Sequence, residues 1–153
     1  EYVNFVIVGS VQDYDYLESL KNFSKALGVE KRVFFHGVVR GIDKYYLIKH
    51  AAMMVHMARW ESFCNAVHEG MSQGLVCIVA NNTALPLLIK DGVNGYCVET
   101  NDSDALADKV TDVLKNRNSH EIIKISRRSK NSVKDESWVH VSHEVDARLS
   151  SML

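Results

Sequence analysis

Short apolar runs rich in β-forming residues alternate with stretches of helical periodicity along nearly the whole chain, and that alternation limits the fold more than any other feature. The runs occupy residues 4–8, 32–36, 53–57, 76–80 and 95–98. Each has the length and composition of a buried strand. Between them lie helical stretches at 14–27, 42–50, 63–73, 85–90 and 104–115; in the first, Leu17, Leu20, Phe23, Ser24 and Leu27 fall on one face. Strand and helix in strict alternation imply an α/β, Rossmann-like parallel sheet with helices on both faces and right-handed crossovers. Ligands then belong outside the carboxyl ends of the strands. The loops expected there are 9–13, 37–41, 58–62 and 81–84.

After Lys115 the pattern becomes polar, with a surface helix expected around 120–128. Ser137-Trp138 opens a last amphipathic segment, 137–153, expected to be a helix packed over the sheet. No repeat, low-complexity segment or linker interrupts residues 1–153, so the expectation is a single domain. At 153 residues it buries roughly 70% of its unfolded surface. Lys and Arg number 18 against 19 Asp and Glu, a net charge of -1, which argues against a nucleic-acid surface. Cys64, Cys77 and Cys97 are odd in number and lack CxxC spacing, so neither a disulfide framework nor a structural zinc site is expected. A reducing, cytoplasmic setting follows. No apolar run reaches the roughly 18 residues that span a bilayer, and the N-terminus reads as a strand rather than a signal peptide.

Chemistry concentrates in residues 59–74, Arg-Trp-Glu-Ser-Phe-Cys-Asn-Ala-Val-His-Glu-Gly-Met-Ser-Gln-Gly. Ser62 reads as an N-cap, with the helix running from Phe63. Phe63, Val67, Gly70, Met71 and Gly74 then share a packing face, and Asn65, Glu69 and Ser72 an open one. The first-turn N–H groups form a seat for phosphate, and Glu69 stands roughly 10 Å further along the axis. Glu61 lies just outside the first turn. Arg59 reads equally as a phosphate contact or a strand-end cap. Gly9 reads as a point of close ligand approach, Gly41 as a turn glycine. His68 and Glu69 point about 100° apart and lack an i+4 ligand, while His36 and His56 end apolar strands, where histidines usually cap or pack. No metal is assigned. Cys64 falls in the first turn, where the helix dipole lowers a thiol pKa, but it has no Cys/His partner logic for nucleophilic catalysis.

The order of these pieces resembles the C-terminal, nucleotide-sugar-binding domain of the GT-B retaining glycosyltransferases, the group 1 family of the glycogen-synthase-like superfamily. Residues 27–37, Leu-Gly-Val-Glu-Lys-Arg-Val-Phe-Phe-His-Gly, are similar to the family's LGL-x-x-RV-x-F-x-G run. Residues 58–74 resemble its SRWEGFPNVxxEAMAxG signature, Asp91-Gly92-Val93-Asn94-Gly95 its DGxNG turn, and Ser137-Trp138 its C-terminal SW. The first strand and Gly9 look like its second strand and glycine turn. The resemblance implies one half of a GT-B fold that binds a UDP- or GDP-linked sugar as substrate, with no cofactor and no metal. Glu69 would bind the ribose hydroxyls and Glu61, the catalytic candidate, would face the transferring sugar. Ser62, Phe63, Cys64, Asn65 and Arg59 would hold sugar and diphosphate, and Gly9 and Ser10 would lie near the nucleotide. Leaving-group charge would be met by fixed donors during front-side attack.

The same resemblance implies that the chain begins after the family's first strand-helix unit, which carries two basic pyrophosphate ligands. It also lacks the N-terminal domain that holds the acceptor, a glycan or lipid. This chain alone is then expected to be inactive, with membrane contact made only by a full-length enzyme in polysaccharide or glycan biosynthesis. Cys64 stands where Gly or Pro is common, Gly70 where Ala is usual, and Leu87 where Glu is frequent. Two other classes fit the same sequence: a non-catalytic flavodoxin-like interaction module, and a nucleotide-sugar epimerase-type domain.

Overall fold

The structure is a computed structural model that describes residues 3–134, together with Ala147 and Ser150. The expected helix over 137–153 lies otherwise outside the described residues. The elements run β1 (Phe5–Val8), α1 (Tyr14–Ala26), β2 (Val33–Gly37), α2 (Gly41–His50), β3 (Met54–His56), α3 (Asn65–Ser72), β4 (Cys77–Ala80), α4 (Leu85–Leu88), β5 (Tyr96–Val98), α5 (Ser103–Lys115) and α6 (His120–Ser132). The predicted alternation is therefore present, and among the described residues the strands pair in parallel. The fold is a Rossmann-like α/β arrangement.

The chain divides into two compact units, Glu1–Tyr45 and Tyr46–Leu153. In the first, β1 pairs with β2, Phe5 opposite Val33, and α1 connects them. The α1 N-cap is Asp13, which accepts from the Tyr16 N–H at 2.9 Å. Contrary to the expectation of a buried strand, Phe5, Val6 and Val8 are exposed. Among the described residues β1 has a single hydrogen-bonded neighbour, and a two-stranded ribbon cannot cover both of its faces.

The second unit holds a three-stranded sheet with β4 between β3 and β5. Here all four β4 residues are fully buried. Cys77 and Val79 pack with Val67, Met71, Leu85 and Ile89. Ile78 packs with Val113, Ile122 and Ile125. Alternate residues of a strand face opposite sides, so α3 and α4 cover one face and α5 and α6 the other. Side chains of this kind contribute about 1.5–3 kcal/mol each when fully buried. Helix α6 extends four residues past the expected 128 because its serines find acceptors: Ser129 Oγ donates to Leu75 O at 2.9 Å and Ser132 Oγ to Arg128 O at 2.8 Å. Among the described residues no helix is long and apolar enough to cross a membrane.

Candidate functional site

Strand β3 ends at His56, and the loop after it delivers Glu61 to the head of α3. One carboxylate oxygen of Glu61, Oε1, accepts the N–H groups of Ser62, Phe63 and Cys64 at 3.0, 3.4 and 3.1 Å. The other, Oε2, accepts from His56 Nε2 at 3.3 Å. Hydrogen bonds to the charged form hold the Glu61 carboxyl below its ordinary value of 4.5, the Phe63 N–H contributing most and burial opposing it. The result is an ionised carboxylate with fixed orientation at the end of a sheet strand. Each of its two oxygens already has a partner.

This geometry corrects the sequence reading of the helix start. Ser62 is not the N-cap and Phe63 is not helical: α3 begins at Asn65, and its N-cap is Cys64, in the left-handed region at φ 60, ψ 68, with no side-chain cap bond. A charged carboxylate that reaches three consecutive amides outcompetes a serine hydroxyl that can reach one or two. The amides expected to seat a phosphate are thus occupied by Glu61. Of the next amides, that of Val67 goes to Cys64 O, and that of Ala66 faces the Cys64 sulfur. The Asn65 N–H makes no hydrogen bond among the described residues. Asn65 is exposed, so its amide is the donor this helix head offers to an incoming anion.

The later start also shortens the spacing to Glu69, which sits about one turn, roughly 6 Å, beyond Asn65. Glu69 is half-buried on the same face as Asn65 and Ser72, as the periodicity predicts. Val67, Gly70 and Met71 pack inward, also as predicted. Phe63 does not: it is 60% exposed and stacks on His68, ring centroids 4.5 Å apart. His68 Nδ1 donates to Cys64 O at 3.3 Å, a structural role at the start of the helix. The Cys64 thiol, expected to be lowered by the dipole, is instead pushed up to about 11, chiefly by burial. It is 5% exposed and is no nucleophile at neutral pH.

Two supports of Glu61 escaped the sequence reading. The Glu61 N–H donates to Thr83 Oγ1 at 3.2 Å, and Ala84 N–H donates to Glu61 O at 3.3 Å. Asn82 Nδ2 donates to Ala58 O, Arg59 O and Thr100 Oγ1, at 3.1, 3.3 and 2.8 Å. The loop after β4 therefore clamps the loop after β3. Thr83, like Cys64, is a non-glycine residue at positive φ, 48°, so the two positions flanking Glu61 in space both carry backbone strain. The signal available in the sequence was Asn-Asn-Thr directly after an apolar strand, which is turn chemistry. The Arg59 side chain is exposed and makes no ion pair among the described residues. Leu87, also exposed at 84%, offers no polar group.

Gly9 and Ser10 belong to the first unit. Gly9 closes β1, its N–H bonded to Gly37 O at 2.9 Å, and Ser10 Oγ accepts from Gln12 Nε2 at 2.8 Å. A Cβ on Gly9 would meet nothing within 4 Å, and its φ is not positive. Neither backbone nor packing within the described residues requires glycine there. Gly41, at φ 59, is the turn glycine expected.

Residues 1–130 match the family described as Glycosyl transferases group 1. An uncharacterized glycosyltransferase of Methanocaldococcus jannaschii is 32% identical over 139 residues, which cover 91% of this chain and 35% of that protein. A UDP-Gal:alpha-D-GlcNAc-diphosphoundecaprenol alpha-1,3-galactosyltransferase of Escherichia coli is 32% identical over 112 residues, 71% of this chain and 28% of its own length. The chain therefore spans about a third of the curated relatives it matches. Among solved structures, Anabaena HepE in complex with UDP and glucose superposes with a TM-score of 0.87 at 23% identity, covering 97% of this chain and 41% of HepE. That likeness is one of fold. The family match takes in both carboxylates and most of the chain, and the M. jannaschii relative extends over nine-tenths of it: this chain belongs to the group 1 glycosyl transferases.

Proposed function

We propose that residues 1–153 form a donor-binding domain, taking a nucleotide-diphosphate sugar for retaining transfer to a glycan or lipid acceptor held elsewhere in a longer enzyme. The observation that carries this reading is the Glu61 carboxylate, ionised and held by three amides and His56 at the head of α3, with Glu69 one turn beyond. A vicinal diol donates two hydrogen bonds to one carboxylate, which suits Glu69 to a ribose and Glu61 to the transferred sugar. The Asn65 amide and the α3 dipole stand where leaving-diphosphate charge is to be met, so the transfer needs no divalent cation. Glu61 orients the sugar for front-side attack rather than forming a glycosyl-enzyme, because its anion is already stabilised by four donors and is a correspondingly weak nucleophile. Three free cysteines fit a cytoplasmic enzyme.

The E. coli relative is named for UDP-Gal, which makes UDP the first nucleotide to test, and GDP the second. NMR titration with UDP, UDP-glucose and GDP is expected to give saturable shifts at residues 62–69. Glu69→Ala is expected to weaken nucleotide binding about tenfold or more, the value of a charged hydrogen bond. Absence of shifts at millimolar ligand, or binding indifferent to Glu69→Ala, would refute the reading.

A further inference from the structure

We propose that His56, Glu61 and Cys64 form a binding site for a divalent cation of the zinc class, and that a cation there blocks the head of α3 to a sugar donor. The binding half stands on geometry alone; the blocking half rests on the donor reading above.

Three side chains supply one nitrogen, one oxygen and one sulfur, and their ligand atoms all lie within 4.8 Å of one another. With metal bonds of roughly 2.0–2.3 Å, ligand atoms around a tetrahedral ion stand about 3.5 Å apart. His56 Nε2 and Glu61 Oε2 are already 3.3 Å apart, so the closure required is about 1 Å, within reach of a Cys64 side-chain rotation. The carboxylate is held from behind: Oε1 is fixed by three amides, which leaves Oε2 directed at the histidine. Outer partners of this kind orient a ligating carboxylate. The Cys64 backbone is locked at the α3 N-cap, and His56 ends a sheet strand. The His56 and Glu61 side chains retain 28% and 24% exposure, which leaves a solvent side for a fourth ligand.

The donor set selects the ion. Thiolate and imidazole suit zinc and its neighbours, whereas magnesium and calcium demand oxygen. On binding, the thiol proton leaves to solvent, the imidazole carries its proton on Nδ1, and the sulfur and Nε2 lone pairs take the metal. Burial opposes a bare thiolate at Cys64, but a cation within bonding distance supplies the compensating charge and deprotonates a coordinating thiol.

Cobalt(II) added to the chelator-treated chain reads this directly. A sulfur-to-cobalt charge-transfer band with intense visible bands of a four-coordinate ion is expected, bleached by zinc. Cys64→Gly should abolish the charge-transfer band; glycine tolerates φ 60, so the fold is retained, and Cys64→Ser provides a second variant. His56→Ala and Glu61→Gln should each weaken cobalt binding by at least about tenfold. No charge-transfer band at millimolar cobalt overturns the site. So does a band that survives Cys64→Gly, which would assign the metal to Cys77 or Cys97. Zinc should lower UDP-glucose affinity in the parent chain and not in Cys64→Gly; equal affinity with and without zinc overturns the blocking role. Failure of UDP-glucose to bind the metal-free chain sinks the donor reading and the blocking with it, while the cobalt spectra still decide the site.

Discussion

Asn94, in the Asp-Gly-Val-Asn-Gly turn, is 5% exposed and uses its amide in both directions. Its Oδ1 accepts from the Lys90 N–H at 2.7 Å, and its Nδ2 donates to Leu88 O and Ser132 Oγ, both at 3.1 Å. One side chain thus closes the end of α4 and ties it to α6. Asn94→Ala removes all three bonds and strands two backbone groups in a partly buried setting. Each stranded group costs about 1–2 kcal/mol, while Ser132 Oγ keeps its bond to Arg128 O, so the third loss is small. The expected destabilisation is about 3 kcal/mol. Urea denaturation followed by far-UV circular dichroism measures it, as a lower midpoint at unchanged slope. Ser132→Ala should cost less than about 1 kcal/mol. Because this turn acts on the scaffold, nucleotide affinity of Asn94→Ala under folding conditions should match the parent. A cost below about 1 kcal/mol would mean instead that water satisfies the stranded groups as well as the amide does.

The other predictions concern single residues. Gly95→Ala places a Cβ 2.7 Å from Cys77 O and 3.0 Å from Ile89, a clash with backbone that should cost about 2–3 kcal/mol by the same denaturation. Gly70→Ala meets the flexible end of Met54, at 3.0 Å, and touches Cys77 Sγ at 3.4 Å, an ordinary contact distance; with a helix-propensity gain of about 1 kcal/mol it should come out stabilising by about 0.5 kcal/mol, and a loss would show that Met54 cannot move. Cys64, at about 11, is about one part in ten thousand thiolate at pH 7, so iodoacetamide should label it far more slowly than free cysteine; equal rates would disprove its burial. Glu61 has its carboxyl held below 4.5, so the stability it contributes is complete above that pH and lost as the pH falls through the folded-state value. In chelator-treated buffer, the stability difference between the parent chain and Glu61→Gln should therefore shrink on acidification from pH 7. A constant difference would show that the amides do not favour the charged form.

The head of α3 shows where sequence reasoning reaches its limit and why. Asp13, Asp102 and Ser119 are N-caps that act on amides three residues ahead, and the periodic segments behind them were legible because every interaction involved is local. Ser62 carries the same local signal, yet Glu61 overrides it with a carboxylate that spans three amides. Glu61 itself is placed by Thr83, 22 positions away, and by a loop that Asn82 fastens to Ala58, Arg59 and Thr100. Those contacts exist only once β3, β4 and β5 are side by side, so no window of sequence around residue 61 contains them. The Cys64 pKa follows the same logic: a dipole is a property of one helix, but burial is a property of everything packed on it, and here burial dominates. What remained readable there was the placing of Glu69 on the same face as Asn65 and Ser72, because helical spacing is local. What did not was the orientation of Glu61, because orientation depends on a second loop that supplies its strain-bearing supports at Thr83 and, through His56, on the strand end that faces its other oxygen.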